Sequence, residues 1–279
     1  MTADTTTARD IDAMDAVRAD ALWRRLATPR RVNLTIGIAV VVAFFVIWQL
    51  AYELHWANAI FIGSPTGVVR AFIDMVKDGT MATDCAVTAK HFAIGYALGA
   101  VAGIALGTLI GWYDRLGAAL QPLLSGLYST PKVAIFPLFI IWLGIGNGSK
   151  ILIVFLDVLF QTMFNTAAGV RSVDRSLVRV ARSYGAGDWR LFRDVAIPGA
   201  VPFVITGLRL GVGSGIIGVI FAELYVGNDG LGFVIAQAGQ TFQTDKLLAA
   251  VFVVVITSVI LMSLLRWVES RIDSWRPAQ

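Results

Sequence analysis

The amino-acid sequence predicts an all-α membrane protein with six transmembrane helices, and three observations carry that prediction. Of 279 residues, 57% are hydrophobic and 15% charged, against roughly 45–50% and 25% in an ordinary soluble domain. The apolar residues gather in runs of about 20, the length a helix needs to cross the roughly 30 Å hydrocarbon layer. Lys and Arg cluster in three of the segments between or beside those runs, the asymmetry that marks a cytoplasmic face.

Taken in order, residues 1–31 form a tail, polar and acidic at its start, in which Ile11, Met14, Val17, Ala21 and Leu22 recur at helical spacing. That pattern fits a solvated tail with one amphipathic helix, or the same helix docked on a surface. No short basic region precedes an apolar stretch, so no cleavable signal peptide is expected and the first span, 32–51, remains as an anchor. After it, Ser64-Pro65 reads as N-cap and first helical residue and Gly79 as a stop, enclosing a short helix that lies on the membrane or on the bundle. The second span, 92–113, carries Gly95, Gly99, Gly103, Gly107 and Gly111 four apart. Such a ridge lets another helix backbone approach closely, which is how helices associate where lipid supplies no hydrophobic drive. The third run, 116–146, is too long for one straight crossing and is interrupted by Pro131 and Lys132, so one long or broken helix is expected. Spans four to six are 151–170 with Asp157, 203–222 with Arg209, and 247–265 without charge. The transmembrane region is thus 32–268, followed by a short tail, 269–279.

With six spans, the basic segments fall on one side: Arg24, Arg25, Arg30 and Arg31 before span one, the loop 171–199 after span four, and Arg266, Arg271 and Arg276 after span six. Both termini are therefore expected to be cytoplasmic, in a multi-pass protein of the inner or plasma membrane. The net charge of +4 then belongs to one membrane face facing lipid, and no nucleic-acid partner is expected.

Enzyme chemistry finds no constellation. Cys85 is the only cysteine, and His55 and His91 are the only histidines, which leaves no internal disulfide and little for a metal cluster. Gly213, Gly215 and Gly218 fit G-x-G-x-x-G, but a dinucleotide fingerprint needs a preceding strand, and these lie within a span. "GNGSK" lacks the order of a phosphate-binding loop. No catalytic residue, cofactor or metal site is expected in this chain, and any ATP hydrolysis falls to another.

The loop 171–199 is the unusual element. Leu177, Val178, Ala181 and Tyr184 suit one short helical face; Gly185 and Gly187 break it; Asp188 can cap a second helix lined by Trp189, Phe192 and Val195, which Pro198 ends. Three readings of this Arg-rich helix-turn-helix stand side by side: an interfacial helix on anionic lipid, a solvated connector, and a docking element for a partner.

The segment resembles the signature loop of binding-protein-dependent ABC importer permeases: E-A-A, three residues, G, nine residues, I-x-L-P. Here it reads Arg179-Val180-Ala181, "RSY", Gly185, "AGDWRLFRD", then Val195-Ala196-Ile197-Pro198. The glycine, the proline and both spacings match, while Arg179 replaces the family's acid and Val180 its first alanine. Over about 65–275 the chain is similar to the nitrate, sulfonate and taurine branch, through "PKVAIFPLFIIWLGIGNGSK", "FNTAAGV", "PFVITGLRLGVG", "AELYVGNDGLGFVI" and "ESRIDSW". The resemblance implies a type I ABC importer permease fold and a second permease subunit, often identical. It also implies two ATPase subunits that bind ATP and Mg, and an extracytoplasmic solute-binding protein. The loop, with Arg179, Ala181, Tyr184, Gly185, Asp188, Trp189, Phe192 and Pro198, becomes the helix that docks into the ATPase.

For the path, charges within spans are costly and usually face a cavity or one another. Counting about 1.5 Å per residue sets Asp157 nearer the outer boundary and Lys132 and Arg209 nearer the cytoplasmic half. An inner basic zone of Lys132 and Arg209 favouring an anion is expected, lined also by Asn165, Thr166 and Glu223. The structural alternatives are that both cations snorkel to headgroups and that Glu223 marks the end of span five. The implied cargo is a small anion of the sulfonate, taurine, nitrate or aromatic carboxylate class. A neutral heterocycle such as a thiamine or riboflavin precursor, or a secondary transporter working alone, are the alternatives.

Overall fold

The computed structural model describes residues 29–56 and 58–272, and all regular structure among them is helical. The amphipathic pattern of residues 11–22 lies outside them. The chain divides into two compact units, Met1–Thr66 and Gly67–Gln279. The first holds α1 (Pro29–Glu53) and the short α2 (Ala59–Ile62). Helix α1 is apolar all round and exposes Phe44, Val46, Ile47 and Leu50, the surface of a helix whose neighbour is lipid or another chain rather than water.

The second unit carries the rest. Helix α3 (Pro65–Lys77) starts at Pro65 as expected and stops before Gly79, which takes φ 79°. Then come α4 (Thr80–Trp112), α5 (Asp114–Ser129), α6 (Lys132–Leu143), α7 (Asn147–Arg171), α8 (Arg175–Ser183) and α9 (Asp188–Leu191). A five-residue π turn (Phe192–Ala196) joins α9 to α10 (Ile197–Val226); α11 (Leu231–Gln240) and α12 (Thr244–Ile272) complete the unit. Five helices, counting 188–226 as one rod, are long and apolar enough to cross a membrane. The third predicted span is the bent pair α5–α6, turned by 94° at Thr130-Pro131; counted as one broken span, it brings the number among the described residues to six. Proline cannot donate at the break and disfavours helix in the residue before it, which is why Thr130 and Pro131 are extended. Helix α12 runs through Ile272, so the segment expected as a tail from 269 begins inside a helix.

Helix α7 is the centre of this unit, and glycines set its neighbours. All five glycines of the α4 ridge are buried against it. A Cβ on Gly99 would stand 2.6 Å from the Phe155 carbonyl, and on Gly103 2.8 Å from the Leu159 carbonyl and from Thr162 Cβ. The ridge therefore does what its spacing predicted: the backbones of α4 and α7 meet with no side chain between them. On the other side, Gly207, Gly211, Gly215 and Gly218 of α10 approach Asn165, Thr162, Val158, Val154 and Asp157 in the same manner. The motif discarded as a nucleotide fingerprint is thus partly a second packing ridge: Gly215 and Gly218 face α7, and Gly213 faces Met262 of α12. The core between them holds Phe136, Ile153, Val154, Val158, Val219 and Ala222. A second cluster, Met75, Met81, Leu231, Val234 and Ala250, seats α11 against α3, α4 and α12.

Candidate functional site

The loop after α7 is a built element. Asp174 caps α8, its carboxylate accepting the Ser176 amide at 2.7 Å. That hydrogen bond, with the neighbouring Arg179, holds its carboxyl below the ordinary carboxylate range. At the other end Gly185 takes φ 79°; its amide donates to the Arg182 carbonyl at 2.9 Å, and the Ala186 amide to the Ala181 carbonyl at 3.0 Å. This pair is the Schellman closure of a helix, which needs a left-handed residue at that position and so favours glycine. Of the predicted face, Val178 and Ala181 are half-buried while Leu177 and Tyr184 are exposed, Tyr184 at 86%.

Two expectations are corrected here. Asp188 is not a cap; Gly187 precedes the helix without a side-chain cap, and Asp188, its first residue, pairs across the turn with Arg182 Nη2 at 3.3 Å. Nor does Pro198 end the second helix. The rod from Asp188 to Val226 is continuous, because Pro198 sits in the first turn of α10, directly after a π turn. The missing amide of a proline costs little there, and the wider π turn absorbs the change of register. Leu191, only 2% exposed, and Phe192, packed edge-on to Trp112 at 5.0 Å, anchor the rod against the end of α4. Trp189 stays 72% exposed and, with Phe192, Trp112, Leu109 and Thr108, lines a cavity of about 370 Å³. Arg179, Arg182, Arg190 and Arg193 are exposed around it.

The intramembrane charges do not form one basic zone. Lys132 Nζ lies 3.0 Å from Asp157 Oδ1, between the rings of Tyr128 and Phe160 at 5.5 and 5.6 Å. The 94° bend, invisible to a count of residues along a straight span, carries the start of α6 to the depth of Asp157. Arg209 instead meets Glu269 of α12 at 3.0 Å, an acid that the sequence had left in the tail. Among the other path candidates, Asn165 donates to the Gln161 carbonyl of its own helix. Thr166 is buried against Gly107, and its hydroxyl finds no partner among the described residues.

Glu223 is fully buried at the end of the unit opposite the Arg-rich loop. Its carboxylate accepts from Thr88 Oγ1 at 2.8 Å and from the Gly232 amide at 3.1 Å, and faces His91 Nδ1 at 3.0 Å. His91 Nε2 reaches Asn147 Oδ1 at 3.0 Å. The turn 227–232 wraps this carboxylate so tightly that a Cβ on Gly230, at φ 95°, would stand 2.5 Å from it. Nearby, Lys150, 3% exposed, pairs with Asp229 at 2.6 Å. Sequence reasoning found Glu223 but missed its partners. The available signal was Asp84, Thr88 and His91, a polar stripe at spacings of four and three that runs into the glycine ridge at Gly95.

These features define a multi-pass helical membrane protein. The chain belongs to the family described as the binding-protein-dependent transport system inner membrane component, whose pattern matches residues 99–274. It is the permease subunit of an ABC importer, resident in the inner membrane. It is 31% identical to a putative aliphatic sulfonates transport permease protein, SsuC, of Bacillus subtilis, over 86% of this chain and 87% of that one. It is 30% identical to the taurine transport system permease protein TauC of Escherichia coli, over 88% and 90%. A solved structure of the MetNI methionine ABC transporter in inward-facing conformations aligns with a TM-score of 0.53 at 20% identity, covering 67% of this chain and 91% of that one. That likeness establishes the shared type I permease fold.

Proposed function

We propose that this permease works as a homodimer on two ATPase subunits, with ATP and Mg bound on those chains, and receives a small anion of the sulfonate class from an external binding protein. In this reading the termini and the loop 171–199 are cytoplasmic, and the loop docks in a cleft of the ATPase. The observation that carries the reading is mechanical. A compact helical knob, closed by Gly185 and exposing Tyr184 and Trp189 among arginines, is continuous through the π turn with a 39-residue rod. When the ATPases close on ATP, displacement of the knob passes directly into α10, and through the glycine contacts into α7. The ATPase must hold the two states differently for this to do work. Arg179, where the family has an acid, calls for an acidic partner on the ATPase surface.

The anion class is supported by the sulfonate and taurine permeases among the relatives. Lys132, half-screened by Asp157 and two aromatic rings, is the cation best placed to exchange its carboxylate for a transiting sulfonate.

The test is Gly185→Val in vesicles reconstituted with the ATPase and binding protein. A β-branched residue at positive φ is strained, so the knob should distort while the chain stays in the membrane. Uptake should fall by an order of magnitude or more with ATP hydrolysis retained, whereas undiminished uptake refutes docking through this loop.

A further inference from the structure

Lys132, Lys150 and Arg209 each meet an acid. Arg171, the last residue of α7, meets none among the described residues. One of its five N–H donors goes to the Ile110 carbonyl, in the last turn of α4, at 3.1 Å. Gly117 of α5 makes room for this bond, because a Cβ there would collide with Arg171 Nη2 and with the Ile110 carbonyl alike. The remaining donors have no partner among the described residues, and neither has the Gln121 amide one turn further along α5. Arg171 and Gln121 line one cavity of about 200 Å³, together with Leu124, Met163, Phe164 and Ala168. A pocket for a drug-sized ligand is roughly 300–1,000 Å³, so this one suits a smaller group. An unpaired guanidinium beside a carboxamide matches the oxygens of a sulfonate or a phosphate.

The cavity lies on a seam that also holds Lys132. Asp157, Phe160, Phe164, Ala168 and Arg171 recur at spacings of three and four on one face of α7, and Gly117, Gln121, Leu124 and Tyr128 do the same on α5. Leu120 and Leu124 pack with Ile110, Phe160 and Met163 along this seam. Phe164 meets Tyr128 edge-on at 5.1 Å, and Tyr128 in turn lies under Lys132. From position 157 to position 171 the seam runs about 21 Å, at about 1.5 Å per residue, and neither stripe carries a charge in between. A small anion cannot touch Lys132 and Arg171 at once. We propose that Arg171 and Gln121 form a second anion station, which takes the sulfonate of the solute after Lys132 and then releases it. The C-termini of α4 and α7 both lie beside the guanidinium and oppose an anion, so the station binds weakly, in the millimolar range, as a point of release requires. The inference rests on the importer reading for the solute's identity and its direction of travel.

The test is one of binding, without ATPase or ATP. The full-length chain with Cys85→Ser and Ala168→Cys is placed in phosphatidylcholine nanodiscs, with N-ethylmaleimide as a neutral label for the cavity and ethanesulfonate as the probe. At constant ionic strength, ethanesulfonate should slow labelling saturably where chloride does not. Gln121→Leu, which breaks no internal hydrogen bond, should raise the half-protecting concentration by about tenfold, the effect of one hydrogen bond to a charged group. Arg171→Gln should abolish protection and Arg171→Lys, which keeps the charge without the fork, should weaken it, with labelling in the absence of ethanesulfonate unchanged in each. Protection that is absent, or that survives both Gln121→Leu and Arg171→Gln, overturns the proposal. Discs containing phosphatidylglycerol separate the solute from a lipid phosphate. If that lipid alone slows labelling and ethanesulfonate adds nothing, the cavity holds a headgroup and the solute station is refuted. Gly185→Val tests the importer reading separately, in transporting vesicles, so the two can fail independently.

Discussion

Gly103 illustrates what one missing side chain decides. Its α-carbon hydrogen occupies the place where a methyl would meet the Leu159 carbonyl and Thr162 Cβ, both at 2.8 Å. Neither neighbour is a flexible chain end that can turn aside. Gly103→Ala should therefore destabilise the detergent-solubilised protein by about 1–3 kcal/mol, the usual cost of overpacking, while Gly126→Ala, inside a helix with nothing within 4 Å, should hold or raise the thermal midpoint. Arg209 poses the opposite case, a residue whose two roles can be separated by its partner. If it serves only Glu269, Arg209→Gln should be harmful chiefly through the stranded acid, and adding Glu269→Gln should restore both stability and uptake. Stability without uptake in the double variant would assign Arg209 to the passage of the anion.

Among the elements, the loop was the most legible in sequence and also the most instructive in its corrections. Its two short helices and the break at Gly185 follow from local rules: apolar residues at helical spacing and a glycine where the chain must turn left-handed. What local rules mis-set was the cap, which is Asp174 on the first helix rather than Asp188 on the second, and the exit, where Pro198 follows a π turn and the helix runs on. The cap at Asp174 makes a pH-dependent prediction. Its carboxyl lies below the ordinary range when folded, so its stabilisation of α8 is complete above that range and fades as pH falls through the folded value. Protection factors of the Ser176 and Leu177 amides, which divide out the pH dependence of intrinsic exchange, should fall on acidification toward those that Asp174→Ala shows at neutral pH, where the loss is already complete.

For the whole molecule, the six spans are the part of a membrane protein that sequence states most directly, since the solvent demands long apolar helices with every backbone group satisfied internally. The proposed docking on the exposed knob makes a prediction at this scale: affinity purification of the full chain in mild detergent should recover an ATPase chain. Trp189→Glu should abolish that recovery without changing the permease's yield, and undiminished recovery with that variant would refute docking through this loop.

The sequence by itself determined the number of spans, the ridge on which the central helices meet, and the turn at Gly185, because each depends on composition, spacing or the stereochemistry of one residue. Only the tertiary structure decided the partners of the buried polar and charged groups: Lys132 with Asp157 across a 94° bend, Arg209 with Glu269, and His91 with Glu223 over 132 positions of chain. A buried charge is placed by whatever opposite charge the fold brings within 3 Å, and that distance depends on every helix between them rather than on any stretch of neighbouring residues.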